Sequence, residues 1–201
     1  GADITNAAVM IVDVKDVSVL ARVGGTDFYA KTDGKQVDLC TALRSPGSTL
    51  KPFTYALALE QNRVYASERL LDDTLDLGVY NPENFDGDFN GLVTATEALQ
   101  LSLNVPAVMA LERVGTDNLQ EFLRKLGLTT LNQAPEYYGL GLTLGNCEVR
   151  LDEMAAAYAM LANLGMYRPL RQFIEASEPA PEPRLSRGTA LALYAMLEQP
   201  F

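Results

Sequence analysis

Strand-forming sequence in this 201-residue chain is concentrated at its start. Ala7 to Val14 and Val17 to Val23 are β-rich runs, Lys15-Asp16 between them reads as a hairpin turn, and Gly24-Gly25 closes the second run. From Ser48 onward the period becomes helical. This asymmetry predicts an α+β chain, mostly helical, with an N-terminal β-hairpin. A lone hairpin is marginal in water, and nothing after Pro200 supplies partner strands. The expectation is therefore a fragment whose C-terminal strands are missing.

The helical part can be read element by element. Leu50, Phe53, Leu57 and Ala58 recur at three- and four-residue steps, with Gly47 ahead of them and Pro52 in the first turn, where a missing donor is tolerated. Asp72 to Gly91 is polar and punctuated by Asn81-Pro82 and Asp86-Gly87, which reads as a long binding loop. Thr94 and Glu97 form a capping-box pattern before Ala98, Leu99 and Leu101. That helix should end near Ser102-Leu103-Asn104, and Pro106 suits the start of the next, which Gly115 ends. Further helices are expected over Leu119 to Leu126, stopped by Gly127, and over Leu151 to Leu164, stopped by Gly165. The proline-rich stretch from Glu178 to Pro183 reads as a stiff connector. A last helix over Ser186 to Gln199 carries Leu191, Tyr194 and Leu197 on one side.

Charge narrows the function. With 26 acids against 16 bases the net charge is −10, which repels nucleic-acid backbones and anionic lipid. No stretch is long and apolar enough to span a membrane. The start, Gly1-Ala2-Asp3-Ile4, shows no leader pattern and looks like a cut or processed end, so any anchor would belong to a longer parent. Cys40 and Cys147 fit no zinc spacing; two buried thiols are the favoured reading, with one disulfide as the alternative in an oxidising compartment. No cofactor or metal is expected.

The chain has no histidine, so a Ser-His-Asp triad is excluded. Ser48-Thr49-Leu50-Lys51 supplies another arrangement. Residues three apart on a helix are neighbours, so a hydroxyl nucleophile would have an amine beside it. Serine needs a base to attack a carbonyl at neutral pH. Lysine serves only when neutral, and burial or positive potential at a helix N-terminus lowers its pKa from about 10.4. Ser102 and Asn104 project from a helix-to-helix corner. There a second hydroxyl could relay a proton and an amide could hold a peptide carbonyl and restrain the lysine. Helix caps and solvated polar side chains are the plainer alternative for both patterns.

Together these residues resemble the transpeptidase domain of bifunctional, class A penicillin-binding proteins, and within them the 1C type. The resemblance rests on Val37 to Cys40, Arg44 to Phe53, Asn84-Phe85-Asp86-Gly87, Glu97 to Leu99, Ser102 to Ala107, the opening hairpin and Leu144-Gly145. The family's S-x-x-K motif falls on Ser48 and Lys51, nucleophile and general base. Its S-x-N motif falls on Ser102 and Asn104, proton relay and substrate contact. The resemblance implies attack on the D-alanyl-D-alanine bond of a peptidoglycan stem peptide, an acyl-enzyme, and transfer to a neighbouring stem amine. It implies acylation of Ser48 by β-lactam antibiotics, a periplasmic location and a membrane-anchored parent. It gives residues 1–201 as a partial transpeptidase domain of the penicillin-binding protein and serine β-lactamase-like fold.

The family's third motif, Lys-Thr/Ser-Gly, is absent. Lys31-Thr32-Asp33-Gly34 has an extra residue, precedes Ser48, and reads as a turn. The motif is expected beyond Phe201, together with an upstream glycosyltransferase domain, so the fragment itself is expected to be impaired or inactive. A β-lactamase is the nearest alternative. The class A lactamase pattern needs a glutamate three residues before a Leu-Asn pair, but those positions hold Gln100 and Leu128. A β-lactam sensor domain and a non-catalytic binding or scaffold module are the other readings.

Overall fold

Helix α1 (Lys51–Glu60) is buried around most of its circumference, including Phe53, Thr54, Tyr55, Ala56 and Ala58. A helix apolar on all sides belongs inside a protein, and the other elements pack around this one. A computed structural model describes residues 5–30, 34–75, 81–84, 87–173 and 177–198. Lys31 to Asp33, Phe85, Asp86 and the last three residues, which carry parts of the sequence expectations, lie outside that set.

Strands β1 (Val9–Val12) and β2 (Val19–Val23) pair antiparallel, Val9 opposite Val23, with a register shift after Ile11. This is the hairpin expected from the sequence. Its base is tied to the far end of the chain: the Val19 amide donates to the Arg171 carbonyl at 3.0 Å, and the Arg171 amide to the Val17 carbonyl at 2.9 Å. Asp16 and Arg171 form an ion pair beside that bridge.

Two short ribbons were not legible in the sequence. Strands β3 (Arg69–Asp72) and β4 (Gly91–Thr94) pair antiparallel, Asp72 opposite Gly91, so the polar stretch expected as a loop springs from a ribbon. Strands β5 (Met166–Tyr167) and β6 (Glu182–Pro183) form the other. The end of the stretch expected to be a connector is thus a strand. A proline fits there because a two-stranded ribbon is all edge.

Helix α2 (Ala95–Gln100) starts on the expected capping box. The Glu97 amide donates to Thr94 Oγ1 at 3.1 Å, and the Thr94 amide to the Glu97 carboxylate at 2.7 Å. Helices α3 (Asn104–Val114) and α4 (Thr116–Lys125) follow, α3 packing on α1 and on β3. Helix α5 (Pro135–Tyr138) and a 3-10 segment, Gly139–Leu144, lead to α6 (Leu151–Ala162). Helix α7 (Arg187–Glu198) closes on α1 and α2. It buries Ala190, Leu193 and Met196, whereas Leu191 and Leu197 face outward. Two adjacent stripes on α7 have the same spacing, and packing on α1 and α2 chose the other one.

Cys40 is fully buried, Cys147 partly so, and the two are not bonded to each other. Burial pushes the Cys147 thiol up to about 11, the value of an unreactive thiol. Among the described residues no helix is long and apolar enough to cross a membrane. The same residues include no cluster of three or more potential metal ligands.

Candidate active site

Pro46 and Gly47 lead into a 3-10 turn, Gly47–Leu50, that continues directly into α1. The α-helix thus begins at Lys51, not at Ser48. In a 3-10 turn residues three apart are nearly eclipsed, which still brings Ser48 and Lys51 to one side. The turn is seated on backbone. Gly145 has φ of 86°, and a Cβ there would lie 2.3 Å from the Gly47 nitrogen. Only glycine allows that approach. Ser45 Oγ donates to the Gly145 carbonyl at 2.8 Å, and the Tyr158 hydroxyl to the Thr49 carbonyl at 2.7 Å. Ser48 is exposed on this clamped turn, and among the described residues its hydroxyl makes no hydrogen bond.

Lys51, three residues on, is only 1% exposed. Its Nζ donates to the Ser102 carbonyl, to Ser102 Oγ at 3.2 Å and to Asn104 Oδ1 at 2.7 Å. Three acceptors match the three donors of an ammonium. Burial nevertheless disfavours the charge and lowers its pKa to about 8, the negative charge of Asp72 pulling partly the other way. Losing one proton leaves a lone pair, and the Ser102 hydroxyl can then turn and donate to Nζ.

The corner that carries Ser102 is a Schellman end of α2. The Ser102 amide donates to the Leu99 carbonyl at 3.1 Å and the Leu103 amide to the Ala98 carbonyl at 2.9 Å. Such an end requires a left-handed residue, and Ser102 takes φ of 55°. Glycine is the usual occupant, because a Cβ costs about 1–2 kcal/mol there. Helix α3 starts two residues later, and its N-cap, Leu103, has no side chain to offer the free amides.

A loop residue meets that need. Asn84 Oδ1 accepts from the Asn104 amide at 2.8 Å. Asn84 Nδ2 donates to both oxygens of Asp72, each at 2.9 Å. The same carboxylate accepts from the Asn90 amide at 2.8 Å and from Asn90 Nδ2 at 2.9 Å. The Asn104 side chain is held at both ends, with Oδ1 on Lys51 and Nδ2 on the Glu83 carbonyl at 2.5 Å. Ser102, Asn104 and Lys51 therefore meet as the sequence suggested. The Asp72–Asn84 support is not visible in the sequence, where Asn84 belongs to Asn84-Phe85-Asp86-Gly87 and Asp72 is the first residue of a polar loop. An open cleft of about 740 Å³ is bordered by Ser45 and Gly145 and is lined by none of Ser48, Lys51, Ser102 and Asn104.

Similarity to known proteins agrees with this fold. The profile of the penicillin binding protein transpeptidase domain matches residues 7–198. The chain belongs to the penicillin-binding protein transpeptidase domain family. It is 37% identical over 187 residues to penicillin-binding protein 1C of Escherichia coli (strain K12), covering 92% of this chain and 24% of that protein. It is 34% identical to penicillin-binding protein 1A of Neisseria meningitidis serogroup A, covering 80% and 20% of the two chains. Its homologues are class A penicillin-binding proteins, of whose length it spans about a quarter or less. Among solved structures it resembles the transpeptidase domain of Burkholderia pseudomallei penicillin-binding protein 3, at a TM-score of 0.77 and 23% identity, over 96% of this chain and 61% of that one. That likeness establishes the transpeptidase fold, here mostly helical with an N-terminal hairpin.

Proposed function

We propose that this chain carries the acyl-transfer site of a serine-type peptidoglycan D,D-transpeptidase. Ser48 is the nucleophile, Lys51 the general base, Ser102 the proton relay and Asn104 the contact for the substrate's peptide carbonyl. The observation that carries this reading is Lys51: fully buried, one helical turn from an exposed serine, with its pKa lowered to about 8. A general base works best with a pKa near the operating pH.

In the first step Ser48 Oγ bonds to the carbonyl carbon of the D-alanyl-D-alanine bond, and its proton passes to neutral Lys51. The carbon–nitrogen bond then breaks. The leaving D-alanine amine takes a proton from Lys51 through the Ser102 hydroxyl, and an ester remains on Ser48. An amine of a neighbouring stem attacks that ester, its proton passes by way of Lys51 to Ser48 Oγ as the carbon–oxygen bond breaks, and Ser48 is released as the hydroxyl with Lys51 neutral again. A β-lactam enters by the same first step, its ring amide opening onto Ser48. Asn104 Nδ2 has two hydrogens; Glu83 takes one, and the other can hold the substrate carbonyl. Homology to class A proteins supports peptidoglycan as the substrate and the periplasmic face of the inner membrane as the place of action.

Incubation of the intact protein with a fluorescent penicillin, followed by peptide mass analysis, tests the reading. A stable adduct on Ser48 that Ser48→Ala abolishes is the expected result. Rapid turnover of the antibiotic would favour a β-lactamase. Absence of any adduct in the intact protein would sink the acyl-transfer reading.

A further inference from the structure

The Lys51 cluster is held from outside by groups with no place in the reaction. The carboxylate of Asp72, at the end of β3, is completely buried. A buried charge survives only when its acceptor sites are filled, and here four hydrogen bonds from Asn84 and Asn90 fill them. The bonds do more than satisfy the charge. With Nδ2 committed to Asp72 and to the Asp88 carbonyl at 3.0 Å, the Asn84 amide can present only its oxygen to Asn104. The loop that places Asn84 also brings the Glu83 carbonyl onto Asn104 Nδ2. Asn104 is then left with Oδ1 facing Lys51.

We propose that Asp72 and Asn84 are positioning residues of the acyl-transfer site, fixing the Asn104 amide in the orientation that holds Lys51. The proposal rests on the acyl-transfer reading above and adds two residues that touch neither substrate nor nucleophile. Asp72 has a second effect on the same lysine: its charge opposes the loss of proton affinity that burial causes. Ser102 and Asn104, which touch Nζ, carry no charge. Tyr55, one turn along α1, is buried and held protonated by that burial. Among the described residues Asp72 is thus the charge that acts on Lys51.

Two substitutions in the intact protein separate position from charge. Asn84→Ala keeps the Asp72 carboxylate and removes the hold on Asn104. A misplaced catalytic group costs up to about 100-fold, so the rate constant for acylation by a fluorescent penicillin should fall about 10- to 100-fold in protein that remains folded by circular dichroism. Asp72→Asn removes the charge, so Lys51 should lose its proton at lower pH and the acid limb of the acylation–pH profile should move down. A role in folding alone would lower the melting temperature and leave the profile of the folded fraction where it was. NMR titration of the Lys51 side chain in Asp72→Asn provides a readout that does not depend on acylation. If the wild-type protein is not acylated at Ser48, the functional reading fails, and the Lys51 titration in folded Asn84→Ala still decides this one: with the Asp72 charge kept, a lowered midpoint shows that the Asn104 hold on the ammonium is lost and supports it, and an unchanged midpoint overturns it. Wild-type acylation by folded Asn84→Ala, with an unchanged profile, would also overturn it.

Discussion

Helices α2 and α4 end in the same way and for different purposes. At the end of α4 the Gly127 amide donates to the Arg124 carbonyl at 3.0 Å and the Leu128 amide to the Leu123 carbonyl at 3.2 Å, with φ of 87° at Gly127. At the end of α2 the same pair of bonds surrounds Ser102 at φ of 55°. Glycine accepts the left-handed backbone without a penalty, whereas serine is held there at a cost of about 1–2 kcal/mol. Gly127 also has no room for a side chain, since a Cβ would come 2.5 Å from the Tyr167 hydroxyl. Ser102 instead has its side chain on Lys51. Strain kept where a more comfortable residue was available points to use of the side chain. Strain alone does not: Asn62 and Leu164 take a similar positive φ at the ends of α1 and α6, and neither is a hydrogen-bond partner of Lys51.

Four experiments test the difference between the two helix ends. The largest effect is expected from Ser102→Gly, which makes the two ends alike. Acylation by a fluorescent penicillin should slow by about 100-fold or more, as for loss of a positioned proton carrier. Denaturant unfolding should meanwhile show stability unchanged or raised by up to about 1 kcal/mol. Unimpaired acylation would make Ser102 an ordinary cap. Gly127→Ala is the converse, and should lose about 2 kcal/mol in the same unfolding assay while the folded protein acylates normally.

The Lys51 side of the cluster is read by pH. Below about pH 8 the ammonium dominates and has no lone pair to accept the Ser48 proton. Acylation should therefore slow roughly tenfold per pH unit below that point and level off above it. A flat profile between pH 6 and 9 would argue against Lys51 as the base. The smallest change is expected for Asn62→Gly, where asparagine already tolerates the left-handed region and is exposed. A gain of a few tenths of a kcal/mol, with unchanged acylation, would show that the α2 end is special through its side chain and not its backbone.

Much of this was legible in the sequence because it is local. The capping box at Thr94, the stops at Gly115 and Gly127, and the hairpin around Lys15-Asp16 each depend on a few consecutive residues. The two-residue pairing of Met166–Tyr167 with Glu182–Pro183 was not legible, since a strand that short has no period of its own. Neither was the choice between the two stripes of α7, which carry similar apolar residues one position apart. Ser48, Lys51, Ser102 and Asn104 could be named from two short motifs. The contact of Gly145 with Gly47, almost a hundred residues apart in the chain, could not.

By itself, then, the sequence determined the kinds of groups available: a serine and a lysine three apart, a second serine with an asparagine, no histidine, and helices capped where local hydrogen bonds required it. Tertiary structure decided whether those groups form one chemical unit. Lys51 is buried where the corner between α2 and α3 meets the start of α1 and supplies its acceptors. Its lowered proton affinity follows from that burial, which one distant carboxylate partly offsets. Desolvation and charge act through space, so a pattern of neighbours along the chain cannot reveal them.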